Sequence, residues 1–326
     1  MDILVYIFNI LIFPGFLFCF FFGLLLSGID RKLVARMQRR IGPPVFQPFY
    51  DFFKLIGKGH IIPRGAAKKT FMLAPIIGLL GVVIISMFIP IFGYVFIPKT
   101  ADMIVILYLL TVPAVALILG GSSSGSPYSG VGISREMVTM LSYELPLVII
   151  LLAVGSKVGH SLGEIGNVTF SLSKVAEYQA NNGMLICSLS MIPAAIAFLL
   201  CIPAEVGTVP FDVAEAETEI CEGPLVEYSG KYLALYKLMS AIKMFIMGSL
   251  FVALFFGGTG FGTGIKFLPL NTLLMMILVI ITISISVSFL RAIVARIKVE
   301  HTLKFFWTVP TALALVSLIL TYVTTL

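Results

Sequence analysis

The chain has 326 residues, 59% hydrophobic and only 12% charged, with 22 Lys and Arg against 16 Asp and Glu. A soluble domain carries about a quarter charged residues, so a mean hydropathy of +1.07 excludes an ordinary water-soluble globule. The net charge of +6 sits in a few polar segments, and no nucleic-acid partner is expected.

Eight apolar runs are long enough to cross a bilayer as helices, which takes about 20 residues each. They cover 3–27, 71–97, 102–120, 135–155, 184–206, 231–256, 268–290 and 304–325. Helices satisfy every backbone group internally, so the expected fold is all-α: a single integral membrane domain over 1–326 with about eight transmembrane helices. The first run lacks a basic start and joins the spanning set, which reads as a span rather than a removable leader. Of the 22 basic residues, 18 fall on one side of this alternation, ten of them within 28–70; only Lys99, Lys157, Lys174 and Lys266 fall on the other. The positive-inside rule then predicts that 28–70, 207–230 and 291–303 are cytoplasmic loops and that both termini lie outside. Segment 156–183 is expected along the outer surface.

In chain order, the first loop places Lys32, Arg36 and Arg39 on one helical face beside Arg40, an arrangement that anionic headgroups alone could explain. The fourth span, "SREMVTMLSYELPLVIILL", carries Glu136 and, two turns deeper and about 12 Å along the helix, Glu144. A carboxyl at that depth costs several kcal/mol unless neutral, paired or hydrated, and is a functional candidate by default. Pro146 frees the Ser142 carbonyl, which could hold a water beside Glu144. Glu205 ends the fifth span.

Next comes "VPFDVAEAETEICEGPLVEYSG", residues 209–230, which gathers Asp212, Glu215, Glu217, Glu219, Glu222 and Glu227 without a Lys or Arg. If Asp212–Glu222 is helical, Glu215, Glu219 and Glu222 share a face. Crowded carboxylates raise one another's pKa and hold protons near neutrality, the property a relay needs; a solvated acidic loop is the plain alternative. Lys243, mid-span in "MSAIKMFIM", needs a carboxylate or water partner. In the last loop, "RAIVARIKVEHTLKFFW", Arg291 and Arg296 could snorkel to the interface. Cys19, Cys187, Cys201 and Cys221 show no C-x-x-C spacing, and His60, His160 and His301 form no ligand pair, so no metal or redox centre is expected in this chain. Asn and Gln total eight, as in proteins from hot environments.

Four stretches together resemble the complex I membrane subunit 1 family, the subunit adjoining the quinone chamber, and its counterparts in energy-converting membrane-bound nickel–iron hydrogenases. These are "DRKLVARMQRRIGP" with "QPFYDFFKL", "SREMVTMLSYELPL", the acidic loop, and "RAIVARIKVEHTLKFFW", in family order from 30 to 307. The resemblance implies a proton relay of Glu136, Glu144, Glu205, Asp212, Glu215, Glu217, Glu219, Glu222 and Lys243. It also implies contact with a peripheral arm through Arg36, Arg39, Arg40, Arg291 and Arg296. Only "PVF" separates Pro43 from Gln47, and Ser240 stands where quinone-reducing members tend to have Glu; both departures resemble the hydrogenase branch.

The implied role is membrane anchor and coupling subunit of a ferredoxin-oxidising, ion-translocating complex in a prokaryotic plasma membrane, inert by itself. Nickel–iron and 4Fe-4S centres would belong to hydrogenase-like large and small subunits, with antiporter-like subunits beside it in the bilayer. A quinone-binding complex I-type subunit or a sulfane reductase anchor is the alternative. A self-sufficient transporter would show two repeated halves, and none is visible.

Overall fold

The computed structural model describes residues 8–90, 102–163, 168–257 and 268–325. The ends of the first two predicted spans (3–7 and 91–97), and Lys99 and Lys266, lie outside them. The described residues are helical, and their one β pairing is an isolated bridge between Asp102 and Ser171. The helices are α1 (Phe16–Met37), α2 (Gln47–Ile56), α3 (Lys68–Phe88), α4 (Met103–Ser124), α5 (Pro127–Leu162), α6 (Leu172–Asn182), α7 (Ile192–Val206), α8 (Gly230–Val252), α9 (Leu268–Ile283) and α10 (Val299–Thr325). A wide turn at Ser284–Ser288 continues α9 into Phe289–Ile293.

Seven helices are long and apolar enough to span a membrane, which makes this a polytopic membrane protein. The fifth predicted span differs. Within 184–206 only Ile192–Val206 forms a regular helix, 15 residues or about 22 Å at 1.5 Å per residue. Pro193, next to the start of α7, suits the first turn of a helix and interrupts anything longer. Conversely, α5 runs for 36 residues, about 54 Å. The apolar run 135–155 marks only its bilayer-compatible part. Gly125 and Ser126 alone separate α4 from α5, so the expected loop between those spans shrinks to a corner.

α8 is the hub, packed against α1, α3, α7 and α9, while α3 pairs with α4 and α10 lies across α5 and α7. In its most apolar stretch 94% of residues are buried, against 28% for the last helix, so α8 faces protein and α10 faces lipid. α2 lies beside the bundle: Phe52 is buried and meets Phe20 edge-on at 5.0 Å, while Phe46, Tyr50, Phe53 and Ile56 are exposed.

The segments predicted to be cytoplasmic loops are tied to one another. The amide of Ile61 donates to Ser229 Oγ at 3.0 Å, and that of Ile297 to the Pro210 carbonyl at 3.0 Å. Tyr228 stacks on Phe71 at 4.0 Å and donates to its carbonyl at 3.1 Å. They form one end of the bundle, and the acidic loop is its centre.

Candidate functional site: a file of carboxylates behind two chambers

α7 delivers Glu205 in its last turn, and α8 delivers Lys243 from its middle. Lys243 Nζ lies 2.8 Å from Glu205 Oε1 with side chains 6% and 3% exposed, an ion pair not aligned as a hydrogen bond. Each buried charge explains the other, since a lone one would cost several kcal/mol. Tyr143 of α5 packs against Glu205. Beside the pair is a chamber of about 50 Å³, walled by Glu136 and Thr139 of α5, Tyr236 and Ser240 of α8, and Asp212 and Glu215 of the loop. It has room for about three to five waters. Tyr236 is fixed by donating to the Ala116 carbonyl at 3.1 Å.

A second, wider chamber of about 300 Å³ lies on the other side of Asp212, Glu215 and Ser240, which line both. Glu217, Glu222, Lys237, Asp30 and Arg291 complete it. The wide turn in α9 sets Ser288 and Arg291 against buried Asp30, to which they donate at 2.6 and 3.0 Å. Wide helical turns of this kind recur at functional sites.

The loop is not the predicted helix. Only Glu217–Ile220 makes a helical turn, and Cys221, Glu222 and Gly223 follow with φ of 50°, 69° and 51°. A continuous helix would stack like charges four residues apart; the observed backbone instead disperses them. Glu219 swings out to an ion pair with Arg135. Asp212 turns to Arg296, which donates from Nη2 at 2.7 Å and from Nη1 to Thr218 at 3.2 Å.

These surroundings set the loop's proton affinities. Loss of solvent pushes Glu215 up to about 8, helped by the charges of Asp212, Glu136 and Glu222 and opposed by Lys237. Desolvation also raises Asp212, and the Arg296 hydrogen bond and charge only partly offset it. Arg135 holds Glu219 below the usual carboxylate range, first through its hydrogen bond and then its charge. The loop thus contains one carboxyl that keeps its proton near neutrality and one that has given it up.

Of the residues singled out in the sequence, the fold gathers Glu136, Glu205, Asp212, Glu215, Glu217, Glu222 and Lys243 around the two chambers. Glu144 lines neither; it is half-buried further along α5, within range of Glu205's charge. Glu219 faces outward. Arg36, Arg39 and Arg40 are exposed where α1 ends, with Arg39 in a left-handed conformation at φ 57°. Arg291 and Arg296, expected to face a peripheral arm, are engaged within the chain by Asp30 and Asp212. Sequence reasoning passed over Asp30, Arg135, Tyr143 and Tyr236. Asp30 had a signal, a lone acid at the end of an apolar run before "RK", but it was absorbed into the basic loop.

Comparison with known proteins agrees with this geometry. The NADH dehydrogenase family model matches residues 9–322. The H-type membrane component of NADH-quinone oxidoreductase from Thermomicrobium roseum is 31% identical over 91% of this chain and 89% of its own length. Hydrogenase-4 component C of Escherichia coli is 35% identical over 71% of this chain and 70% of its own. Among solved structures, a chain of the membrane-bound sulfane sulfur reductase, an archaeal respiratory membrane complex, superposes with a TM-score of 0.86 at 29% identity, over 98% of this chain and all of that one. With long apolar helices, a buried ion pair and carboxylates threading from loop to bundle, the chain belongs to the NADH dehydrogenase subunit 1 family of membrane-complex proteins.

Proposed function

We propose that this chain is the membrane anchor and coupling subunit of a ferredoxin-oxidising, ion-translocating membrane-bound hydrogenase-type complex. The observation that carries the reading is the shared wall of Asp212 and Glu215 between the outer chamber and the one holding Glu136, Glu205 and Lys243. Electron transfer belongs to hydrogenase-like large and small subunits docked on the cytoplasmic end, which would hold the nickel–iron and 4Fe-4S centres. A change of charge there alters the field at the acidic loop. Glu215, poised near neutrality, passes or takes a proton through chamber water, and Glu136 and the Lys243–Glu205 pair carry the shift toward antiporter-like subunits. Arg36, Arg39 and Arg40, exposed at the same end, offer the arm a basic contact.

The likeness to the sulfane sulfur reductase chain favours a second reading, in which the same relay serves a sulfur-reducing arm. One experiment separates them. The complex is purified from its native membrane, reconstituted in vesicles and given a reduced low-potential donor; hydrogen, sulfide from added polysulfide, quinol and ion uptake are measured. Hydrogen evolution supports the first reading, sulfide the second, and quinol formation overturns both. In either, Glu136→Gln leaves product formation running and lowers the ions moved per electron pair; an unchanged ratio removes the relay assignment.

A further inference from the structure

α1, α2 and α8 enclose a cleft of about 340 Å³ that plays no part in the file of carboxylates. Its mouth carries Arg31 from α1, Asp51, Lys54 and Lys58 on or just beyond α2, and Lys237 from α8. Arg31 and Asp51 neutralise one another at 3.1 Å, and Gln47 also donates to Asp51 at 2.9 Å. Lys54, Lys58 and Lys237 are exposed and have no ion-pair partner among the described residues. Three uncompensated ammonium groups around one cleft repel each other, so the site lacks an anion. Its inner wall, with Leu24, Phe52, Leu55 and Leu238, is apolar.

The anion's other end can be read from α2. Positions 47, 51, 54 and 58 form a polar stripe toward the cleft, whereas Phe46, Tyr50, Phe53 and Ile56 form an exposed apolar flank. A short helix with one basic and one aromatic flank lies in the plane of a membrane interface, its apolar side against acyl chains. Headgroup depth is therefore where the three lysines stand. We propose that this cleft binds one anionic phospholipid, its phosphate held by Lys54, Lys58 and Lys237 and its acyl chains laid along the aromatic flank of α2. A neutral ligand, hydrogen bonding without charge, would leave the three cations unanswered.

The test uses the intact purified complex and its bound lipids, counted by quantitative mass spectrometry, with rebinding of phosphatidylglycerol, phosphatidylcholine and glycerol phosphate after delipidation. The parent complex should hold about one more anionic phospholipid per chain than the Lys54→Gln, Lys58→Gln, Lys237→Gln variant. Loss of three interfacial cations should weaken phosphatidylglycerol binding on the order of a hundredfold. The matching triple Lys→Arg variant should keep the lipid, which separates charge from folding. Equal lipid content in parent and Gln variant, or phosphatidylcholine binding as tightly as phosphatidylglycerol, overturns the site. Glycerol phosphate binding as tightly as the lipid overturns the lipid assignment in favour of a soluble phosphate compound.

Discussion

Lys243 and Glu205 depend on each other for their place in the bundle, since removing one partner of a buried pair costs about 3–5 kcal/mol. Lys243→Met is expected to lower the thermal stability of the complex by an amount of that order, and adding Glu205→Gln to restore most of it. Melting curves of the two single variants and the double variant test this; additive losses would mean the two side chains do not act as a pair. Glu215 makes a prediction in pH. Its folded value of about 8 lies above the ordinary 4.5, so the native state holds a proton that the unfolded chain releases. Its contribution is fully present below the ordinary value and is lost as pH rises through about 8. Glu215→Gln should flatten the fall in melting temperature between about pH 5 and pH 9. A parental slope in that variant would assign the titration elsewhere.

Among the elements, the acidic loop is the least regular and the most constrained. Gly223 sits at φ 51°, and a Cβ there would fall 2.1 Å from the Ala214 carbonyl oxygen; Gly207, at φ 72°, has no atom within 4 Å of that position. Gly207→Ala therefore carries only the left-handed penalty of about 1–2 kcal/mol. Gly223→Ala adds an overlap with backbone that cannot yield, worth about 1–3 kcal/mol more. The measurement is the yield and melting temperature of assembled complex for each variant, and equal effects would contradict this geometry. The same loop shows where sequence reading stopped. Helix existence was legible because apolar runs of about 20 residues have few other solutions. The extent of α5 was not, because helix continues beyond the apolar run on capping and turn geometry at Gly125, Ser126 and Pro127. The carboxylates were legible as a group. Their division into an inward Glu215 and an outward Glu219 was not, because it depends on Arg135 and Arg296, distant in sequence.

At the scale of the molecule, the last loop and the acidic loop behave as one body because Arg296 joins them to Asp212 and Thr218. Charge-assisted hydrogen bonds contribute about 1.5–3 kcal/mol each. Arg296→Gln should thus raise the population of a released acidic loop about tenfold or more. Protease cleavage within 207–230 of the assembled complex reads this directly, and a parental cleavage rate would show that the loop is held by other contacts. The pairing of Lys243 with Glu205 and of Arg291 with Asp30 illustrates the same limit of sequence reading. A lone charge in an apolar run announces that a partner exists, but topology alone names it. The wall between the two chambers has a further consequence. Asp212, Glu215 and Ser240 touch the water-sized space on both sides, so in the proposed relay no unbroken thread of water joins the outer chamber to the inner one. An ion cannot slip through with its hydration intact; a proton must first reside on a side chain and then leave it. The residues that conduct are also the insulation, and the membrane stays charged while the complex is idle.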